Sequence, residues 1–533
     1  MRKDRADNIV EQSYAGWNWT EDRSMRWFPW GNELEYNNDI GWTGFANNTI
    51  KTSATYPLVN FRGQTCVDNI FDRVYMYDNT VFEEYAYMEQ NEFRNTDFYT
   101  CFFSGDSFGF YKNKISNSQI GYIFTSGWGS INDNIIEQGS YLGNNSVVAG
   151  GSINHNTLAE DSYIGDNFLY FNSWISYNKI QNATIGDDNN YVKYFSGISN
   201  NTLDSYGWIG GNDLNNSYIQ NNSLTSEGYI GDYNNMLNSG LYQNNLSNNS
   251  GIYSNEMTGS NIYDNTVTGE SYINNNTLDN GGEIGKNTVT NVSSINNNTL
   301  IYNSCFIVEN TVANQSSIDD NNFYHNSYCR QNTVTDSSYI SGNNLATGSY
   351  IQANTVAGNS GLYSCILDSN SAFYANSIEM ESGIYSITMY SSSYVESNKV
   401  AANSSISGMT LDPSTAPGNA YLYANTLQNT STIYSNVIGV ANISYNDLKN
   451  NSTIHDMTLG ASAVMSYNSL STKSSIRDIN ATAGNNAISA NSLNNESSIH
   501  NFTMGIDETN GDNALFNTAD ITTSNLNLQF LHA

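Results

Sequence analysis

Positive charge is scarce in this chain. Nineteen Lys and Arg stand against 50 Asp and Glu, a formal net charge of −31 over 533 residues. Without a basic face, direct nucleic-acid binding is not expected. Long hydrophobic runs are missing too. No stretch of roughly 18 apolar residues occurs, so no membrane-spanning helix and no membrane partner are expected. The basic residues near the start are not followed by an apolar core of signal-peptide length, so a Sec-exported precursor is not expected either. Cysteine is sparse. Cys66, Cys101, Cys305, Cys329 and Cys365 are odd in number and show no C-x-x-C spacing, which argues against a zinc site and against a disulfide framework. Cys305 and Cys329 fall at inward positions of the repeat and read as small buried hydrophobes. The five histidines form no cluster, and no G-x-S-x-G or Walker motif occurs. No metal, no cofactor and no catalytic residue is therefore assigned. Of only four prolines, Pro413 and Pro417 lie in 412–419, where the repeat spacing lengthens by about five residues, as for a loop extruded from one coil.

What the chain does have is a repeat. Between Ile262 and Leu411 the pattern S-x-I-x-x-N-T-L/V recurs about every eleven residues, and its last position alternates between two classes. One set is Val267, Val289, Val312, Val334, Val356, Ile378 and Val400. The other is Leu278, Leu300, Phe323, Leu345, Leu367, Met389 and Leu411. Residues share a class when they stack on the same side of successive coils, so the unit is two repeats, about 22 residues. Upstream, glycine follows the inward residue in every second repeat at Gly121, Gly143, Gly165, Gly186, Gly210 and Gly231, an independent column with the same period. Charged residues are only 13% of the chain, so the surface is mostly Asn, Ser, Thr, Gly and Tyr. The regular Ile, Leu and Val supply the buried face that separates this composition from disorder.

The fold class expected is all-β, a right-handed parallel β-helix (β-solenoid) with about 22 residues per coil built from two 11-residue repeats. Ser two before Ile, the Ile, Asn two before Leu, and the Leu point inward, and the residues between them face out. Asn265, Asn287, Asn310, Asn332, Asn354, Asn376 and Asn398 then stack as an amide ladder. The expected solenoid runs over 45–504, irregular over 45–130 and regular over 131–504, with the insertion at 412–419. That span holds about 21 coils, and at about 4.8 Å per strand a rod of roughly 100 Å. Residues 1–44 lack the repeat and concentrate Trp17, Trp19, Trp27, Phe28, Trp30 and Trp42 with Arg2, Lys3, Arg5, Arg23 and Arg26. They read as an aromatic cap, an anchor to other virion or surface proteins, or both. Residues 505–533 read as the C-terminal cap.

The five- and six-residue faces, as in the stretch 260–270, resemble the A-[DN]-L-x-x units of pentapeptide-repeat proteins, which implies a four-sided coil. This chain departs from them in carrying an inward Ser or Asn in place of Ala and a coil near 22 residues, and a flattened two-sided coil is the alternative. As a whole, 45–504 is also similar in composition and repeat style to Asn-rich short-repeat solenoid virion proteins of tailed bacteriophages.

Function in a solenoid sits in outward columns. Tyr141, Tyr163, Trp208, Tyr229 and Tyr272 precede the inward Ile or Leu in the repeats that carry glycines, interrupted by Thr184 and Gly251. Beyond the glycines lie Asn144, Asp166, Asp187, Gly211 and Asp232. Aromatic faces beside a side-chain-free groove and hydrogen-bond acceptors suit a sugar chain, so Tyr141, Tyr163, Trp208, Tyr229, Tyr272, Asp166, Asp187 and Asp232 form the candidate glycan site. The bland reading is that aromatics are good strand residues, or that the stripe is covered by another subunit. Asp166 and Asp187 fall in neighbouring coils, but a glycosidase also needs its two carboxyls in different environments, which spacing cannot give. No enzymatic role is assigned. Paired Thr rows, Thr266 and Thr268, Thr288 and Thr290, Thr311, Thr333 and Thr335, and Thr355, resemble ice-binding surfaces, though Thr is also a favoured strand residue. Mimicry of DNA fails on charge density, about one charge per 3 Å of rod against one per about 1.7 Å of duplex.

The sequence therefore reads as a structural or adhesive rod-like appendage of a virus particle, a fibre, spike or decoration protein that recognises host surface glycans. The partners expected are virion proteins at the N-terminal cap, host glycans, and further copies of the chain as a trimer. The alternative is a secreted or cell-surface adhesin or ice-binding solenoid. Either reading places the chain on a virion or an extracellular surface.

Overall fold

Each inward apolar residue becomes the centre of a very short strand whose flanks face out, which is strand alternation reduced to one inward side chain. In Tyr272–Asn274, Ile273 is fully buried and its two neighbours are half-buried. The chain is an all-β parallel β-solenoid with about 22 residues per coil, and no helix occurs among the described residues. This structure, a computed structural model, describes the strands of residues 9–522 and most of the links between them; side chains are described mainly from 88 to 499, and 1–8, 412–419 and 523–533 lie outside the described set. Two compact units make up the chain, Met1–Asn261 and Ile262–Ala533.

A coil has four strands. In the second unit Tyr272–Asn274, Thr277–Asp279, Glu283–Gly285 and Thr288–Thr290 make one turn. The next begins at Ser294–Asn296, which pairs in parallel with Tyr272–Asn274. The four positions are numbered faces 1 to 4 in that order, and the first unit is numbered likewise from Tyr141–Gly143, Ser146–Val148, Ser152–Asn154 and Thr157–Ala159. Four strands per coil is what the pentapeptide resemblance implies. The residue just before each inward Asn makes the corner in a left-handed conformation, as at Lys286 (φ 49°), Glu309 (φ 54°), Gln331 (φ 56°), Ala353 (φ 54°) and Ala375 (φ 54°). Such a turn costs a Cβ-bearing residue about 1–2 kcal/mol, and Asn and Asp, which bear it best, fill many of the other corners.

Between the inward apolar residues the buried corner positions hold Ser or Asn, as expected. Ser271, Ser293, Ser316 and Ser338 in one column are at most 1% exposed, and so are Asn265, Asn287, Asn310 and Asn332 in another. The amide ladder forms as read from the sequence. Asn310 Nδ2 donates to Asn332 Oδ1 at 2.9 Å and Asn332 Nδ2 to Asn354 Oδ1 at 2.9 Å. The same Oδ1 atoms also accept the backbone N–H of the preceding Asn, at 3.0 Å from Asn310 and 2.9 Å from Asn332. Each Nδ2 also donates to a carbonyl one coil back, Asn332 to Ile307 at 3.1 Å. All four hydrogen-bonding positions of the side chain are thus filled, which is what allows an amide to be buried. At the insertion the ladder steps from Asn398 to Asn425, 27 residues instead of the usual 21 to 23, with the bond intact at 3.1 Å. Extra chain leaves the coil without breaking register, and its own residues, 412–419, lie outside the described set.

Parallel pairing extends beyond the expected span at both ends. Ile9–Gln12 pairs with Thr49–Thr52, Ala514–Leu515 with Ser492–Leu493, and Asp520–Thr522 with Ser498–Thr503. In the expected aromatic cap, Trp17–Trp19 and Met25–Trp27 form an antiparallel pair, and the side chains of Trp17, Trp19, Trp27, Phe28, Trp30 and Trp42 lie outside the described residues. Cys305, Cys329 and Cys365 are buried free thiols. Burial pushes the Cys365 thiol up to about 12.

Candidate functional site

Face 1 of the first unit carries the aromatic column. Parallel register places Tyr141 beside Tyr163, Tyr163 beside Thr184, Thr184 beside Trp208, Trp208 beside Tyr229, and Tyr229 beside Gly251. All four aromatic side chains are half-buried. The rings of Tyr141 and Tyr163 lie 4.5 Å apart at 41°, and those of Trp208 and Tyr229 lie 5.9 Å apart at 39°. Tyr253, two residues after Gly251, extends the row, its ring 5.2 Å from that of Tyr229 at 51°. The tilts leave these rings incompletely covered by one another.

At Gly210 the glycine is not the open groove that the sequence suggested. Trp208 and Gly210 flank the inward Ile209 on the same outer surface, and the indole lies over the glycine. A Cβ added to Gly210 would come within 2.0 Å of Trp208 Nε1 and 2.3 Å of the Gly231 carbonyl oxygen. The indole N–H donates to that carbonyl at 2.9 Å, which fixes the ring on the sheet. Glycine here is a seat for an aromatic ring. The arrangement recurs where Tyr111 covers Gly109, Tyr242 covers Gly240 and Trp174 covers Gly197 in the first unit, and where Tyr363 covers Gly361 and Tyr385 covers Gly383 in the second. An aromatic neighbour covers backbone that a strand glycine leaves exposed, so each pair stabilises the strand and at the same time fixes a ring against the surface.

The remaining candidate residues divide. Tyr272 lies on face 1 of the second unit, where its register partner is Ser294, and is half-buried. Asp187 falls in the strand Thr184–Lys193, whose register with Trp208–Asn215 shifts between Gly186 and Asn190; its side chain lies outside the described residues. Asp166, Asp232 and Asn144 lie outside the described residues altogether. The Thr rows align as spaced, Thr266 with Thr288, Thr288 with Thr311, Thr311 with Thr333 and Thr333 with Thr355, on face 4 of the second unit.

Sequence reading missed a longer aromatic stack. On face 3 of the second unit Phe306, Tyr328 and Tyr350 stand in register, stacked at 5.5 Å and 20° and then 5.4 Å and 10°. Ala372 interrupts the row, and Tyr394 and Tyr421 resume it at 5.1 Å and 13°. The Arg330 guanidinium sits 4.3 Å from the Phe306 ring centre and 5.8 Å from that of Tyr328. Burial, reinforced by Tyr328, Tyr394 and Glu396, holds the Tyr350 phenol above its ordinary value. At the N-terminal end of the row Glu283 is also raised, first by burial and then by Glu309. The signal that would have found this stack is the 22-residue spacing of Phe306, Tyr328 and Tyr350, each one residue before an inward side chain.

No protein-family model matches the chain, and no curated protein matches it. Among solved structures, the chain is similar to a hyper-glycosylated TibA fragment glycosylated by TibC, with 10% identity, 68% of this chain and 98% of the other covered, and a TM-score of 0.27. It is similar to HetL, a pentapeptide repeat protein of the cyanobacterium Nostoc, with 11% identity, coverage of 45% and 86%, and a TM-score of 0.15. An alginate lyase of the PL6 family gives 8% identity, coverage of 91% and 97%, and a TM-score of 0.19. With TM-scores this low, the fold rests on the strand pairing within the chain itself.

Proposed function

We propose that the protein is a non-enzymatic structural and adhesive appendage of a virus particle that binds surface glycans through the aromatic column of the first unit. The observation that carries this reading is Trp208, held over Gly210 and tied to the Gly231 carbonyl at 2.9 Å. A ring fixed on a sheet buries one side and turns the other outward, and an apolar face bordered by polar groups is what the C–H face of a sugar needs. Tyr141, Tyr163 and Tyr229 align with it in one column, interrupted at Thr184, so the site is a row suited to an extended oligosaccharide. Asp166, Asp187 and Asp232 are the proposed acceptors for its hydroxyls. Placement on a virus particle draws on the Asn-rich repeat style, and neighbouring capsid or tail genes would support it where secretion genes would count against it.

A glycan array probed with the full chain, with Trp208→Ala and with a Tyr163→Ala/Tyr229→Ala double variant tests the site, with thermal unfolding as the fold check. The expected result is a bound oligosaccharide whose affinity drops at least tenfold in both variants, about 1.4 kcal/mol. No oligosaccharide bound, or binding that survives both variants, would overturn it.

A further inference from the structure

Arg330 stands out on charge pairing. The second unit contains six Lys and Arg, and five have a carboxylate within 4.0 Å: Lys286 with Glu309, Lys399 with Glu379, Lys449 with Asp447, Lys473 with Glu496, and Arg477 with Asp478. Among the described residues Arg330 has no such partner, in a chain with a large excess of acids. Its Nε is buried with no hydrogen-bond partner. The side chain as a whole is half-buried, its guanidinium packed on Phe306 and close to Tyr328.

Both features cost free energy. A buried N–H without an acceptor costs free energy, and stacking on an aromatic ring offsets part of that cost. What the stack does supply is placement, since a guanidinium packed 4.3 Å from a ring centre is restricted in where its donor fork can go. A planar oxyanion is the group that such a fork recognises in bidentate fashion. Tyr328 and Tyr350 extend from it along the next coils as half-buried rings with phenol groups at their ends.

We infer that face 3 of the second unit binds a carboxylated sugar, its carboxylate on Arg330 and its chain running along Tyr328 and Tyr350. This rests on the glycan-binding reading and adds a second subsite with a stated ligand class, a uronate-type oligosaccharide. Specificity against neutral sugars comes from Arg330, because only a carboxylate supplies the acceptor pair that the guanidinium lacks. Glu283 feels the Arg330 charge, but neither it nor Glu309 comes within 4.0 Å of the guanidinium as an ion pair.

The test uses oligogalacturonate and its fully methyl-esterified form, titrated calorimetrically into the full chain, into Arg330→Gln, Arg330→Lys and Tyr328→Ala, and into Lys449→Gln as a charge-matched control. Thermal unfolding confirms that each variant folds. The acidic oligomer is expected to bind at least tenfold more tightly than the ester. Arg330→Gln removes that preference, Arg330→Lys restores only part of it, Tyr328→Ala weakens both ligands, and Lys449→Gln changes nothing. Equal binding of acid and ester, or a preference that survives Arg330→Gln, overturns the inference. If array glycans still bind in a Trp208-dependent way, the broader reading stands without this subsite. If neither oligomer binds, the subsite is refuted, and an array without hits would refute the broader reading separately.

Discussion

Replacing Asn332 by Ala should be among the most damaging single changes in the second unit, and the structure sets the size of the effect. Asn332 is fully buried and takes part in four side-chain hydrogen bonds to nitrogen or oxygen atoms and a fifth, from Nδ2, to the Cys329 sulfur. Truncation leaves the Asn310 N–H and one Asn310 Nδ2 hydrogen without their acceptor, and the Ile307 carbonyl without its side-chain donor. Asn354 Oδ1 loses one donor but keeps the Asn332 backbone N–H at 2.9 Å. Three orphaned groups at about 1–3 kcal/mol each give roughly 3–6 kcal/mol, allowing for partial relaxation and water entry. A solenoid is stabilised by neighbour interfaces, so the loss should appear as local opening of adjacent coils before global unfolding. Hydrogen exchange resolved by peptide, with urea unfolding of the same variant, measures both. Protection should fall most in peptides spanning 307–354 and far less at distant coils. A loss below about 1 kcal/mol, or exchange that rises uniformly along the unit, would refute the claim that the ladder is a chain of individually required bonds.

Four further outcomes follow from the geometry. Gly231→Ala puts a Cβ 1.9 Å from the Tyr253 carbonyl oxygen and should cost at least about 2 kcal/mol in thermal or urea unfolding; Gly139→Ala, with nothing within 4 Å but φ at 66°, should cost only about 1 kcal/mol. Ala353→Gly relieves a left-handed alanine at φ 54° and should raise stability by about 0.5–1 kcal/mol once the added unfolded-state entropy is subtracted, whereas an unchanged or lower melting temperature would count against strain at that corner. Lys399 and Ser377 hold the Glu379 carboxyl below its ordinary value. A depressed carboxylate stabilises above its unfolded pKa of about 4.3 and loses that contribution as pH falls through the folded value, so the stability gap between wild type and Glu379→Gln should be small at neutral pH and close in acid. Cys305, Cys329 and Cys365, buried with their thiols pushed up by burial, should resist iodoacetamide in the native chain at pH 8 and react on unfolding, as peptide mass spectrometry would show.

Legibility in the sequence followed burial. Val267, Val289 and Val312 could be read as one column because an inward position in a repeating coil sees the same neighbours each time, and selection for volume leaves the same residue class. The Asn ladder was legible for a stronger reason, since a buried amide must have its hydrogen bonds filled and a repeating coil fills them with an identical amide above and below. Four-sidedness was less so. It depends on left-handed corners that the sequence marks weakly, with Lys286, Glu309, Gln331 and Ala353 occupying one corner column in place of glycine. The insertion could be located from spacing because the ladder resumes at Asn425, but spacing says nothing of its path.

Outward positions obey no such rule, and here the candidate site was only half legible. Counting could place Tyr163 and Trp208 in one column, but where a ring lies depends on the residue two positions along the same strand. Beside Gly210 the Trp208 indole can drop onto the sheet; beside Arg330, Tyr328 cannot, and it stacks on Phe306 and Tyr350 instead. The same aromatic letter thus gives a ring lying on the sheet in one setting and a stacked ring in the other. A ring lying on the sheet has one side free for a sugar, whereas rings stacked on one another cover each other's faces and present edges and phenol groups. Pairing each outward aromatic with the residue two away separates Trp208 from the Phe306, Tyr328 and Tyr350 stack, but it does not separate every pair, since Tyr363 and Tyr385 lie beside Gly361 and Gly383 and still stack at 5.2 Å and 16°. Trp208 and Tyr242 are thus rings held on the sheet, and Phe306, Tyr328 and Tyr350 are the stack on which Arg330 packs, with edges and phenol groups left for the chain proposed to run along them.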